Sequence, residues 1–271
     1  MLSAVGIPAT LSFDGLHYSL QVDAKSAAAA QEHLERYEIE RRPAPARAPP
    51  MRLHPCAWIG CVGYVAVLVA VAVLNSSGAW RLDAFDTGEL DAARVQSGQW
   101  WRAWTALTLH VDGPHLAGNL VAGVWFGYFA ARQLGVGTAW LLIVIGAGLA
   151  NLLEGLLGPA THHSVGASTA VFTALGLLAA YTWRVRLLLP QRWALRWGPL
   201  IGGIVLLAFT GSGGPETDVA AHLAGFSVGA LFGAVVASRS GGRALSRVPQ
   251  WLTGAIALVS MTVAWCCALA S

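Results

Sequence analysis

From Cys56 onward, polar stretches cut the chain into apolar segments, most of them close to one length. Each approaches the roughly 20 residues that an α-helix needs to cross the hydrocarbon core of a bilayer. They fall at about 56–75, 113–132, 138–157, 166–184, 197–212, 218–238 and 250–270. Only 11% of the 271 residues are charged, and 55% are hydrophobic. A soluble domain carries about 25% charged residues. So few charges cannot cover a water-facing surface, and the pattern predicts an all-α polytopic membrane protein with the lipid bilayer as its solvent. The formal net charge of +3 is not a nucleic-acid signal, because the arginines gather at the ends of the apolar runs.

Cytoplasmic loops collect basic residues, which gives the layout an orientation. Arg41, Arg42, Arg47, Arg52, Arg132, Arg184, Arg186, Arg192, Arg196, Arg239, Arg243 and Arg247 fall on one side. Only Arg81, Arg94 and Arg102 fall on the other, all in one loop. The N-terminus is therefore expected in the cytoplasm and, with an odd number of spans, the C-terminus outside. The Arg- and Ala-rich composition favours a bacterial plasma (inner) membrane. The opening MLSAVGIPATLSFDG lacks a basic stretch followed by an apolar core, so no cleavable signal peptide is expected.

Residues 1–42 alone have a soluble composition and read as a small α+β cytoplasmic domain. Val5–Ser12 and Leu16–Val22 alternate like strands about an Asp14-Gly15 turn. Ser26–Glu38 reads as a helix with Ala30, Leu34 and Tyr37 on one face. A proline-rich linker follows over 43–54. Cys56, Cys61, Cys266 and Cys267 lie within the first and last apolar segments and read as buried thiols. The loop from Ser76 to Gly113 is too long for a mere connection. Its Trp80, Trp100, Trp101 and Trp104 suggest an amphipathic element at the outer interface.

Polar groups inside such segments are costly and mark functional sites. Ser168 opens one apolar helix after the small-residue turn SVGAS, and His222 sits early in another, DVAAHLAGFSVGALFGAVVAS. Both spans enter from the outside, so at about 1.5 Å rise per residue the two side chains reach one depth. A serine and a histidine that meet form a nucleophile and its general base. His115 and Asn119 enter at the same level, four residues apart and hence on one helix face. Their N–H groups, with the backbone N–H of Ser168, suit a developing oxyanion. His110 reads as structural, bonding backbone in the loop, and His162 and His163 as exposed loop residues.

Asp218 stands one turn before His222, where it suits an N-cap as well as a third catalytic group, so a dyad is preferred. Gly225, Gly229 and Gly233 repeat at four-residue spacing and would press the His222 helix against Ala167, Ala170 and Ala174 of the Ser168 helix. Phe172, one turn below Ser168, would stack on the imidazole. No H-E-x-x-H occurs, and no acidic residue stands at ligand spacing from His115, so neither a metal nor another cofactor is expected.

WWRAWTALTLH with Trp101-Arg102, HVDGPHLAGN, GAST with Gly166 and Ser168, and AHLAGFSVGALFG with its glycine ladder together resemble the rhomboid family of intramembrane serine proteases. The resemblance covers about residues 55–240. It implies a six-helix protease core plus one additional C-terminal transmembrane helix over 250–271. It also implies Ser168 as nucleophile, His222 as base, no acidic third member, and His115 and Asn119 as oxyanion donors. The expected partners are transmembrane protein substrates. Thr169 stands where many members have glycine, and Ala224 where the family often has a second glycine.

Overall fold

The structure, a computed structural model, describes residues 2–41, 53–77, 83–187, 192–210 and 218–271. Most of the proline-rich segment, together with Trp80, Arg81 and Glu216, lies outside the described residues. The chain divides into two compact units between Pro50 and Met51, and each is taken by itself.

In the first unit β1 (Ala9–Phe13) and β2 (Tyr18–Val22) form an antiparallel hairpin, followed by α1 (Ala27–Arg41). The Asp14 carboxylate closes the turn by accepting the N–H groups of Leu16 and His17 at 2.8 and 2.6 Å. The first strand starts later than its alternation suggests. Gly6 takes a φ of +78° and Pro8 has no N–H to give to a ladder, so Leu2–Val5 forms a 3-10 turn instead. Leu2, Ile7 and Ala30 make the core, while Leu34 and Tyr37 stay exposed. So short a stretch cannot cover a whole helix face.

Among the described residues, the second unit contains seven long helices, at the seven apolar segments. They are α2 (Trp58–Ser76), α6 (Gly113–Leu134), α7 (Val136–Leu157), α8 (Ser168–Leu187), α9 (Trp193–Thr210), α10 (Val219–Val236) and α12 (Gln250–Ala270). A shorter α11 (Arg239–Ser246) links the last two. Helices α2, α7, α10 and α12 are long and apolar enough to cross a membrane by length and composition, and Trp193–Phe209 is a shorter apolar helix. Between α2 and α6 lie α3 (Ala84–Gly88), α4 (Ala92–Gln96) and α5 (Arg102–Thr105).

Helix α8 is central. It is buried almost without interruption from Thr169 to Ala180 and touches α6, α7, α9 and α10. A helix apolar on every side belongs in an interior. Its closest neighbour is α10, and glycines decide the approach. A Cβ on Gly225 would lie 2.6 Å from the Thr169 carbonyl oxygen. Gly229 and Gly233 press in the same way on the carbonyls of Thr173 and Leu177, and Gly176 of α8 on that of Phe226. The face of α8 that meets the ladder is thus Thr169, Thr173 and Leu177, not the expected Ala167, Ala170 and Ala174. Ala170 and Ala174 pack instead with Ile143 and Ala147 of α7. Two threonines are tolerated because their backbone carbonyls are the nearest contact surface, with the Thr169 Cγ2 and Thr173 Oγ1 atoms next to the ladder at Gly225. The Thr173 hydroxyl is satisfied by the Thr169 carbonyl at 2.7 Å.

The described part of the long loop folds onto the bundle as three short helices. Asp83 caps α3 and Asp91 caps α4 with their carboxylates. Buried Arg102 ties the loop together, donating to Gln99 Oε1 at 2.6 Å and to the carbonyls of Glu89 at 3.0 Å and Asp86 at 2.7 Å. Asn151 of α7 donates to the Ala103 carbonyl at 3.0 Å, and Trp265 of α12 to Thr108 Oγ1 at 3.2 Å. Trp104 lies over Gly148, and Trp101 and Trp104 both meet Trp100 edge-on. At its other end α12 is held by Gln250, whose amide N–H groups reach the Thr138 hydroxyl and the Leu134 carbonyl. Of the cysteines, Cys61 is buried, while Cys56 and Cys266 face outward.

Candidate active site

The turn before α8 is built for tightness. Gly166 takes a φ of +129°, in the region that favours glycine. A Cβ there would fall 2.8 Å from the His115 ring. The Gly166 N–H donates to the Ala106 carbonyl at 3.0 Å, and the Ala167 N–H to His110 Nε2 at 3.3 Å. A two-residue antiparallel bridge of β3 (Leu90–Asp91) with β4 (His163–Ser164) fastens the same stretch to the loop. Ser168 is therefore presented, half-buried, at a helix start whose preceding backbone is held from two sides.

Asp112 caps α6 by accepting the His115 N–H at 2.7 Å, and Pro114 occupies the first turn. The cap sets the rotation of a helix that turns His115 and Asn119 toward the serine turn. Tyr64 Oη, donating to the Asn119 carbonyl at 2.9 Å, pins the helix from behind. Asn119 is 7% exposed, and its Nδ2 has no hydrogen-bond partner among the described residues. That leaves a buried donor free beside Gly166.

Asp218 Oδ1 caps α10 by accepting the Ala221 N–H at 3.0 Å. One turn on, His222 is buried, and its ring lies on Phe172 with centroids 4.3 Å apart. Ser168, His222, His115 and Asn119 all line one cavity of about 1540 Å³. Val121, Trp125 and Phe126 of α6 and Leu206 of α9 give the same cavity an apolar wall. A hydroxyl at a helix start, a buried imidazole and an unpartnered carboxamide around one space suit nucleophilic attack on a carbonyl.

His110 accepts a backbone N–H at Nε2 and lies edge-on to His115 at 5.1 Å. Burial first, and the neighbouring His115 second, push its pKa down to about 4. Trp101 and Arg102 sit in the loop fold, away from the cavity lining. Gly225 and Gly229 act on helix approach, as above. His163 is exposed as expected, but both His162 and His163 have acidic neighbours that their position does not suggest. His163 Nδ1 meets Glu89 Oε1 at 3.0 Å, and His162 faces Glu154 and Asp218. No spacing rule in the sequence links those three residues, which come from three separate elements.

A family model described as the Rhomboid domain matches residues 97–239. The chain is similar to "Rhomboid protease GluP" of Bacillus subtilis (strain 168), 34% identical over 91 residues, which are 34% of this chain and 18% of that protein. It is also similar to "RHOMBOID-like protein 1" of Arabidopsis thaliana, 30% identical over 154 residues, covering 55% of this chain and 38% of that one. "Putative rhomboid protease YdcA" of Bacillus subtilis (strain 168) is 31% identical over 141 residues, covering 51% of this chain and 67% of that protein. The matches thus span less than half the length of the first two relatives and two thirds of the third. With the domain model taking in slightly over half of it, the chain belongs to the rhomboid family.

Proposed function

We propose that this chain is a serine endopeptidase that hydrolyses peptide bonds in or near the transmembrane segments of other membrane proteins. Membership of the family, two of whose matched relatives are named proteases, supports intramembrane proteolysis. One observation carries the assignment of residues: Ser168, His222, His115 and Asn119 line a single cavity whose remaining wall is largely apolar. Ser168 Oγ attacks the scissile carbonyl while His222 takes its proton. Asn119 Nδ2, the His115 ring N–H and the Ser168 backbone N–H receive the oxyanion. The imidazolium then protonates the leaving amine, and water releases the acyl group by the reverse sequence.

The Arg asymmetry supports a cytoplasmic N-terminus, an external C-terminus and a cavity open to the outside. The folds of residues 1–42 and 55–240 serve this reading as an appended domain and the protease core, with 250–271 as the extra helix. A helical substrate hides its carbonyls, so cleavage sites should carry helix-destabilising and small residues. Purified protein incubated with a fluorogenic transmembrane substrate tests the proposal. Wild type should cleave and Ser168→Ala should not. Equal cleavage by both removes Ser168 from the mechanism.

A further inference from the structure

Beside the candidate active site, two carboxylates and an imidazole converge. Glu154 comes from the last turn of α7, His162 from the bend before β4, and Asp218 from the cap of α10. Their ligand-type atoms all lie within 4.8 Å of one another. His162 Nε2 is 3.6 Å from Glu154 Oε1 and 3.3 Å from Asp218 Oδ2. The Glu154 side chain is only 6% exposed, yet neither of its oxygens has a hydrogen-bond partner among the described residues. The same holds for His162 Nε2 and Asp218 Oδ2.

We propose that Glu154, His162 and Asp218 bind a divalent cation of the zinc class, in a site separate from the serine and histidine of the proposed dyad. Ligands about 2.0–2.2 Å from a tetrahedral zinc stand about 3.4 Å from one another. The two measured separations bracket that value. Two carboxylates facing each other in a buried place are costly, and a cation is the partner that would satisfy both of them and an imidazole together. One nitrogen with two oxygens suits a borderline metal better than magnesium or calcium, which favour all-oxygen shells.

The site is also preorganised and reachable. The His162 N–H donates to the Pro159 carbonyl at 2.9 Å, and the His162 carbonyl accepts from Ala92 at 3.0 Å, so backbone holds the ring in place. Asp218 spends Oδ1 on the helix cap, which leaves Oδ2 for the metal. His162 and Asp218 line the large cavity, which supplies an entry path and room for a fourth ligand from water. The second cluster of the same kind, Glu89, Asp91 and His163, is already committed. There Glu89 pairs with His163, and Asp91 with Arg94 at 3.1 Å. A bound cation would tie the end of α7 to the approach to Ser168 and to the start of the helix carrying His222.

The test uses the full chain as its Ser168→Ala variant in detergent, titrated with zinc chloride and, separately, magnesium chloride. Equilibrium dialysis should find one zinc per chain, with a raised Tm, and no saturable magnesium. Glu154→Gln and His162→Asn should each weaken zinc binding at least about tenfold. His162→Asn lies in a bend, so it carries the test if Glu154→Gln fails to fold. His222→Ala should leave zinc binding in place. No saturable zinc, unchanged binding in His162→Asn, or its loss in His222→Ala would each overturn the proposal.

Discussion

The imidazole of His222 lies on the ring of Phe172, with centroids 4.3 Å apart and planes tilted by 36°. Phe172 stands one helical turn after Ser168, so the helix that carries the proposed nucleophile also supports the proposed base. Two features hold these side chains in register: two helices in backbone contact, and one aromatic face.

Replacing that face should loosen the base. Phe172→Leu keeps most of the apolar volume but offers no plane. We expect kcat to fall on the order of tenfold to a hundredfold, because small misplacements of reacting groups are costly. KM should change little. Steady-state kinetics on a transmembrane substrate separate the two constants; a changed KM at constant kcat would sink the idea.

The free Nδ2 of Asn119 predicts a transition-state role. Asn119→Ala should lower kcat by about 10²–10³, as loss of one oxyanion donor does elsewhere, and leave KM nearly unchanged. Labelling of Ser168 by a fluorophosphonate probe should slow in parallel, since its adduct places an oxygen in the same position. Full activity in the variant would remove Asn119 from the site.

The glycine ladder predicts a steep dependence on side-chain size. Gly229→Val would drive a branched side chain into the Thr173 carbonyl and should abolish the folded protein, while Gly229→Ala should lower Tm. Gly202 of α9 is the control, because a Cβ there meets nothing within 4 Å. Gly202→Ala should be neutral or slightly stabilising by helix propensity. Thermal unfolding in detergent ranks the three.

His110 predicts a pH dependence of stability. Its folded pKa, pushed down to about 4 chiefly by burial, lies below the roughly 6.5 of an unfolded histidine. Between those values the unfolded chain binds a proton that the native state refuses. Stability should therefore fall as pH drops from about 6.5 to about 4, with no contribution from His110 to the slope above that window. Protonation would also remove the lone pair that accepts the Ala167 N–H. Tm measured against pH should slope less in His110→Gln than in wild type across this window.

Much of this protein was legible along the chain because a bilayer imposes a one-dimensional rule. Every span must satisfy its own backbone, so helices and their approximate ends follow largely from apolar length. The cap at Asp218 and the turn at Gly166 are likewise local, each set within a few residues. Lateral packing is different, because it depends on which faces meet. The ladder Gly225-Gly229-Gly233 was visible as a close-packing motif, but its partner face on α8 was not. Alanines looked like the natural counterpart; carbonyls beside Thr169 and Thr173 are what the glycines touch. Nor could spacing reveal that Arg102 is buried as the tie of its loop, or that Asn151 bonds Ala103. Glu154, His162 and Asp218 belong to three elements and share no local pattern. Local rules specified the helices, the serine turn and the cap before His222; the tertiary packing alone decided which polar groups face one another, because those neighbours are brought together only when the helices close.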